Sequence, residues 1–138
     1  MVTAVMHAAT PTIYLIDDDN SVRRALIRVM ESAGLDTCSF ITAEDFLAHF
    51  KTGGETHHGC VITDMTLPGM SGLELKIRLN AARNSIPVIL LTANDSAETR
   101  AAAQKAGAIG YFRKPMDTQA LLDVIRWATN PVSFPATA

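Results

Sequence analysis

The chain has 138 residues, of which 48% are hydrophobic and 19% charged, with a formal net charge of −2. That is enough apolar material for one folded domain and too balanced a charge for a disordered chain. It holds no long basic run suited to nucleic acid, no apolar run near the ~20 residues that span a bilayer, and no basic start leading into a secretory signal.

Short apolar runs alternate with amphipathic segments along the chain. The pattern predicts strands over 12–16, 35–40, 59–63, 87–91 and 109–113, and helices over 20–33, 43–51, 71–80, 95–106 and 117–128. Such alternation implies parallel strands joined by right-handed crossovers. Near-continuous Val/Ile/Leu in the fourth strand fits a sheet covered on both faces. The first strand, Ile13-Tyr14-Leu15-Ile16, runs into Asp17-Asp18-Asp19. The first helix carries Val22, Leu26, Val29, Met30 and Ala33 on one stripe, with Arg23, Arg24 and Arg28 mostly off it. Asn20 is placed to cap its start and Gly34 to end it.

The third strand leads into Asp64, and Pro68-Gly69 turns the chain toward a third helix opened by the capping box Ser71/Glu74. The fourth strand ends at Thr92, and Asp95/Glu98 resembles a second capping box before a helix closed by Gly107. The fifth strand ends at Lys114-Pro115. The last helix sets Leu121, Leu122, Ile125 and Ala128 on one face, with Trp127 opposite, either covered by the tail or open to a partner. Residues 1–11 read as an N-terminal extension, 12–128 as the domain, and 129–138, with two prolines, as a flexible tail or linker stub. Cys38 and Cys60 read as reduced, buried thiols of a cytoplasmic protein, and His57-His58 with Cys60 lacks the spacing of a structural zinc site.

Strand ends of an open parallel sheet converge on one edge, where such folds bind ligands. Two carboxylates ~4 Å apart repel by roughly 4 kcal/mol at an effective dielectric near 20. A cluster of Asp17, Asp18 and Asp64 therefore favours a raised pKa or a bound cation, and hard oxygen ligands suit Mg²⁺. An EF-hand starting at Asp17 fails, because its sixth position is Val22 and its twelfth Arg28. A carboxylate can form an acyl phosphate, a Thr92 hydroxyl can donate to a phosphoryl oxygen, and a Lys114 ammonium can pair with Asp64. Singly these residues have ordinary explanations as a solvated turn, a helix cap and a surface lysine. Their joint placement at four strand ends does not.

The ordered set of Asp17-Asp18, Asp64 with Pro68 and Gly72, Thr92-Ala93, and Tyr111 with Lys114-Pro115 resembles the receiver domain of bacterial two-component response regulators, from about Thr12 to Trp127. The resemblance implies a flavodoxin-like, doubly wound α/β fold with five parallel strands in the order 2-1-3-4-5 and five helices. It implies Asp64 as the phosphorylation site. Mg²⁺ would be ligated by the side chains of Asp18 and Asp64, by the Thr66 carbonyl, and by Asp17 through water. Thr92 and Lys114 would hold phosphoryl oxygens, and Tyr111 would be the aromatic switch partner of Thr92. The expected function is phosphorelay signalling, with a sensor histidine kinase or phosphotransfer protein as donor, self-catalysed transfer, slow autodephosphorylation and no conventional enzyme activity. A homodimer through the face of the fourth helix, fifth strand and fifth helix belongs to the same expectation, as does an output domain or partner. Met116 stands where the family often has Phe. The alternative is a Mg-dependent phosphatase of the haloacid dehalogenase type with Asp17 as nucleophile, although the chain lacks a late acidic pair. A flavin- or nucleotide-binding module is disfavoured by the acidic first loop and the absence of G-x-G-x-x-G.

Overall fold

Val, Ile and Leu fill β1 (Thr12–Ile16), β3 (Gly59–Asp64) and β4 (Val88–Thr92) because these strands lie inside a sheet covered on both faces. The computed structural model describes residues 10–50 and 58–130. With β2 (Asp36–Phe40) and β5 (Gly110–Arg113) at the edges, the five strands pair in parallel in the order β2-β1-β3-β4-β5. The crossovers are α1 (Asn20–Ser32), α2 (Ala43–Phe50), α3 (Gly72–Ala81) and α4 (Ala97–Lys105), and α5 (Thr118–Thr129) follows β5. This is the flavodoxin-like topology. Strand side chains alternate between the two faces. Tyr14, Ile16, Val61 and Leu90 pack on one face with Phe46, Leu75 and Leu79, whereas Ile13, Leu15, Ile62 and Leu91 pack on the other with Leu26, Met30, Leu121 and Ile125. Among the described residues, no helix is long and apolar enough to cross a membrane.

Two helix starts differ from the sequence expectation. Asp19, not Asn20, caps α1, its Oδ1 accepting the amides of Ser21 and Val22. Asp19 has the extended backbone that capping needs, whereas Asn20 is already helical. At α4 the capping box is Ser96/Thr99, not Asp95/Glu98, because the Asp95 carboxylate is taken by Tyr111 and Arg100. The Ser71/Glu74 box forms in both directions. Gly34 and Gly107 end α1 and α4 at φ +76° and +85°, in the left-handed region where glycine carries no Cβ penalty. Cys60 is fully buried, but Cys38 is only half-buried because it lies on edge strand β2; both are free thiols. Trp127 is 44% exposed on α5. Residues 1–9 of the extension, the end of the second helix at 51, His57, and residues 131–138 of the tail lie outside the described residues.

The chain returns from β3 into α3 with Gly72 against the backbone of the strand end. A Cβ there would overlap the Asp64 carbonyl oxygen and press on Thr63 Cγ2. Gly72→Ala is therefore expected to destabilise the fold by about 2 kcal/mol, read as a lower urea midpoint at an unchanged m-value.

Candidate functional site

The strand register sets Asp17 beside Asp64, since Ile16 pairs with Thr63, and brings β4 and β5 alongside through the pairs Asp64–Leu91 and Thr92–Arg113. Polar residues at the ends of β1, β3, β4 and β5 thus share one edge of the sheet. One carboxylate oxygen from each of Asp17, Asp18 and Asp64 lies within 4.8 Å of the others. Asp18 is exposed, whereas Asp17 and Asp64 are buried, Asp17 to 2% exposure. At that separation each pair of charges repels by roughly 3 kcal/mol at an effective dielectric near 20.

Lys114 compensates that repulsion. Its Nζ donates to Asp17 Oδ2 at 2.8 Å and to Asp64 Oδ2 at 2.7 Å. Burial opposes the Lys114 charge, but these two bonds outweigh it and hold the pKa above the ordinary lysine value. Burial raises the Asp17 pKa, and the bonds from Lys114 and the Asp19 amide offset only part of that rise. The Lys114–Pro115 peptide is cis, and the Lys114 amide donates to the Thr92 carbonyl at 2.7 Å.

Both oxygens of Asp64 are engaged. Oδ2 faces Lys114, and Oδ1 accepts the Thr66 amide at 3.0 Å. Thr66 therefore reaches the cluster through its backbone. Thr92 is buried at the end of β4, and its hydroxyl accepts the Asn94 amide at 3.0 Å instead of touching a carboxylate. Tyr111 points to α4, not to the cluster. Its hydroxyl donates to Asp95 Oδ1 at 2.8 Å and lies 2.8 Å from Thr99 Oγ1. Arg100 grips the same carboxylate through both oxygens. The Tyr111 bond, followed by Arg100, holds the Asp95 pKa below the usual carboxylate range.

Two supports escape the sequence reading. Arg23 Nη1 donates to the Asp17 carbonyl at 2.7 Å, which fixes the acidic loop from the first turn of α1. Glu44 Oε2 accepts the Met70 amide at 2.9 Å, tying α2 to the loop after Asp64. Arg23 gave a partial signal by lying off the apolar stripe. Glu44 gave none.

Comparison with known proteins places this geometry in a family. The response regulator receiver domain model matches residues 13–126. The chain is 36% identical over 114 residues to the transcriptional regulatory protein FixJ of Azorhizobium caulinodans, covering 83% of this chain and 53% of FixJ. It is 37% identical over 123 residues to the response regulator protein TmoT of Ectopseudomonas mendocina, covering 89% and 54%. Among solved structures, the response regulator StyR superposes with a TM-score of 0.80 at 41% identity, over 89% of this chain and 61% of StyR. FixJ-N gives a TM-score of 0.78 at 29% identity, over 88% and 95%. The chain belongs to the receiver domain family of two-component response regulators, whose work is phosphorelay signalling. It spans about half the length of the curated relatives it matches. The haloacid dehalogenase alternative finds no support: the matched family is the receiver, and the Asp17 carboxylate that it requires as nucleophile is buried under Lys114.

Proposed function

We propose that Asp64 is the phosphoacceptor of this receiver domain, which spans 12–128, and that the donor is the phosphohistidine of a sensor kinase or phosphotransfer protein. The observation that carries this reading is the buried Asp17–Asp64 pair bridged by Lys114, with Asp18 exposed beside it. In the transfer, an Asp64 carboxylate oxygen attacks phosphorus in line, the donor's P–N bond breaks, and its electron pair stays on the histidine ring. Lys114 swings from the paired carboxylates to a phosphoryl oxygen, so its charge remains matched throughout. The Thr92 hydroxyl accepts from Asn94 and keeps its own proton free to donate to a second phosphoryl oxygen.

Hard carboxylate oxygens suit Mg²⁺, which would be held by the side chains of Asp18 and Asp64 in the carboxylate cluster, by the Thr66 carbonyl, and by Asp17 through water. When bound, it neutralises phosphoryl charge. The acyl phosphate later hydrolyses slowly at the same site, and the domain acts as a signalling element, not as a metabolic enzyme. Drawing Thr92 toward the phosphoryl group changes the space beside Tyr111. The Tyr111 tie to Asp95 and Thr99 then breaks and alters the face of α4, β5 and α5, which serves an output domain, a partner or a second copy in the cytoplasm.

Incubation with acetyl phosphate and Mg²⁺ is expected to add one phosphoryl group, mapped by mass spectrometry to the peptide containing Asp64. Asp64→Asn is expected to lose that label entirely. Undiminished labelling of the variant would sink the assignment.

A further inference from the structure

The loop from Met65 to Ser71 has to hold the Thr66 amide on Asp64 Oδ1, because that bond sets the direction of the Asp64 carboxylate. Most of the loop is anchored from within. Met65 donates to the Leu91 carbonyl, the Gly72 amide donates to the Met65 carbonyl, and Leu67 is buried in the same core as Ala43 and Phe46. Its apex, Pro68-Gly69-Met70, is tied to α2 by Glu44. Glu44 sits in the first turn of α2 between core residues Ala43 and Phe46, both fully buried, so its backbone is fixed. Its Oε2 accepts the Met70 amide, and the whole carboxylate lies over Gly69, where a Cβ would come within 2.6 Å of Oε2 and 3.4 Å of Oε1. Gly69 has φ +77°, so glycine serves both the turn and the close approach. The bond from Met70 is the main cause of a Glu44 pKa below the usual carboxylate range.

We propose that Glu44 is a positioning residue for the phosphoacceptor site, latching the loop apex to α2 so that Thr66 keeps its amide on Asp64 and its carbonyl in place for the cation. The inference rests on the reading of Asp64 and Thr66 as Mg²⁺ ligands. Glu44 touches neither the cation nor the phosphoryl group. It acts through the loop.

The test compares Glu44→Ala and Glu44→Gln with the wild type by amide hydrogen exchange, by Mg²⁺ titration calorimetry of the unphosphorylated protein, and by thermal midpoint. Glu44→Ala is expected to speed exchange at Met70 and Thr66 and to weaken Mg²⁺ binding about threefold. That is less than the roughly tenfold loss that follows removal of a partner bonded directly to a ligand, because the Glu44 bond is exposed and four residues away from Thr66. Glu44→Gln keeps an acceptor oxygen and is expected to recover most of that affinity. Unchanged Mg²⁺ affinity in Glu44→Ala would overturn the proposal. A Gln variant as weak as the Ala variant would also overturn it, since long-range charge would then explain the effect. A wild type that binds Mg²⁺ but takes no phosphoryl group would refute Asp64 as phosphoacceptor while leaving the latch to be judged by the Glu44 variants. A wild type that binds no Mg²⁺ would overturn both.

Discussion

Lys114→Met is expected to destabilise the Mg²⁺-free protein by about 3 kcal/mol at neutral pH, the low end of the cost of breaking a buried ion pair from one side. Methionine keeps the apolar stem and removes the charge, so the loss reports electrostatics and not a cavity. The cause is the repulsion left between Asp17 and Asp64, whose facing oxygens both rely on Nζ in the wild type. The pH dependence has a definite sign. Asp17 already has a raised pKa from burial, and removing Lys114 raises it further. A carboxyl with a raised folded-state pKa is stabilising while protonated and loses that contribution as pH climbs from its ordinary value of 3.8 through the folded value. The deficit of Lys114→Met should therefore be small in acid and grow as the solution is made neutral.

Mg²⁺ should rescue the variant more than the wild type, because a cation would then supply the positive charge that Lys114 already gives Asp17 and Asp64 in the wild type. Calorimetry should show Mg²⁺ affinity raised about tenfold, one decade per ~1.4 kcal/mol of competition removed. Acetyl phosphate labelling should nonetheless fall by about a hundredfold, the cost of losing one positioned donor to a developing anion. Equal Mg²⁺ affinity in the two proteins would mean that Lys114 does not compete for the carboxylates.

The strand order is implied by the resemblance to receiver domains, but the parallel strands and their shared edge are legible in the residues themselves. They follow from alternation and from apolar runs that each stop at a polar residue, and β3 carries both signals in six consecutive buried positions. Helix caps are less legible. Asp19 and Asn20, or Asp95 and Ser96, are neighbours of similar capping strength; at α1 the backbone conformation decides, and at α4 a tertiary contact does. Tyr111, sixteen residues from Asp95, removes that carboxylate from the contest and leaves the cap to Ser96. Glu44 and Met70 are twenty-six residues apart and obey no period, so nothing in local spacing joins them. Lys114 lies between these cases. Its proximity to the acids is legible from strand ends, but its paired bonds to Asp17 and Asp64 depend on β1, β3 and β5 ending level.

Cys60 is expected to dominate the early alkaline loss of stability. It is fully buried in the core formed with Ile13, Leu26, Met30 and Ile62, and burial pushes its thiol from the ordinary 9.0 up to about 12. Between those values the folded protein keeps the proton and the unfolded chain gives it up, so stability falls as pH rises and is unaffected below about 9. At about 1.4 kcal/mol per pH unit, the interval from 9.0 to about 12 corresponds to a loss of about 4 kcal/mol. Burial also raises Tyr14, and Lys114, although burial opposes its charge, is raised by the bonds to Asp17 and Asp64. Both act in the same direction, but from ordinary values of 10.0 and 10.5. Burial lowers the Lys76 pKa, which adds stability as pH rises toward its ordinary 10.5 and offsets part of the Cys60 loss. That contribution is the same with or without the Cys60 thiol. Cys60→Ala is expected to cost about 1.5 kcal/mol at neutral pH through the small cavity it leaves. The wild type should then decline relative to that variant, and the two urea-unfolding curves should cross about one pH unit above 9.0. Parallel curves through that range would place the alkaline sensitivity elsewhere. A crossing fixes it to the one thiol that β3 holds in the middle of the sheet.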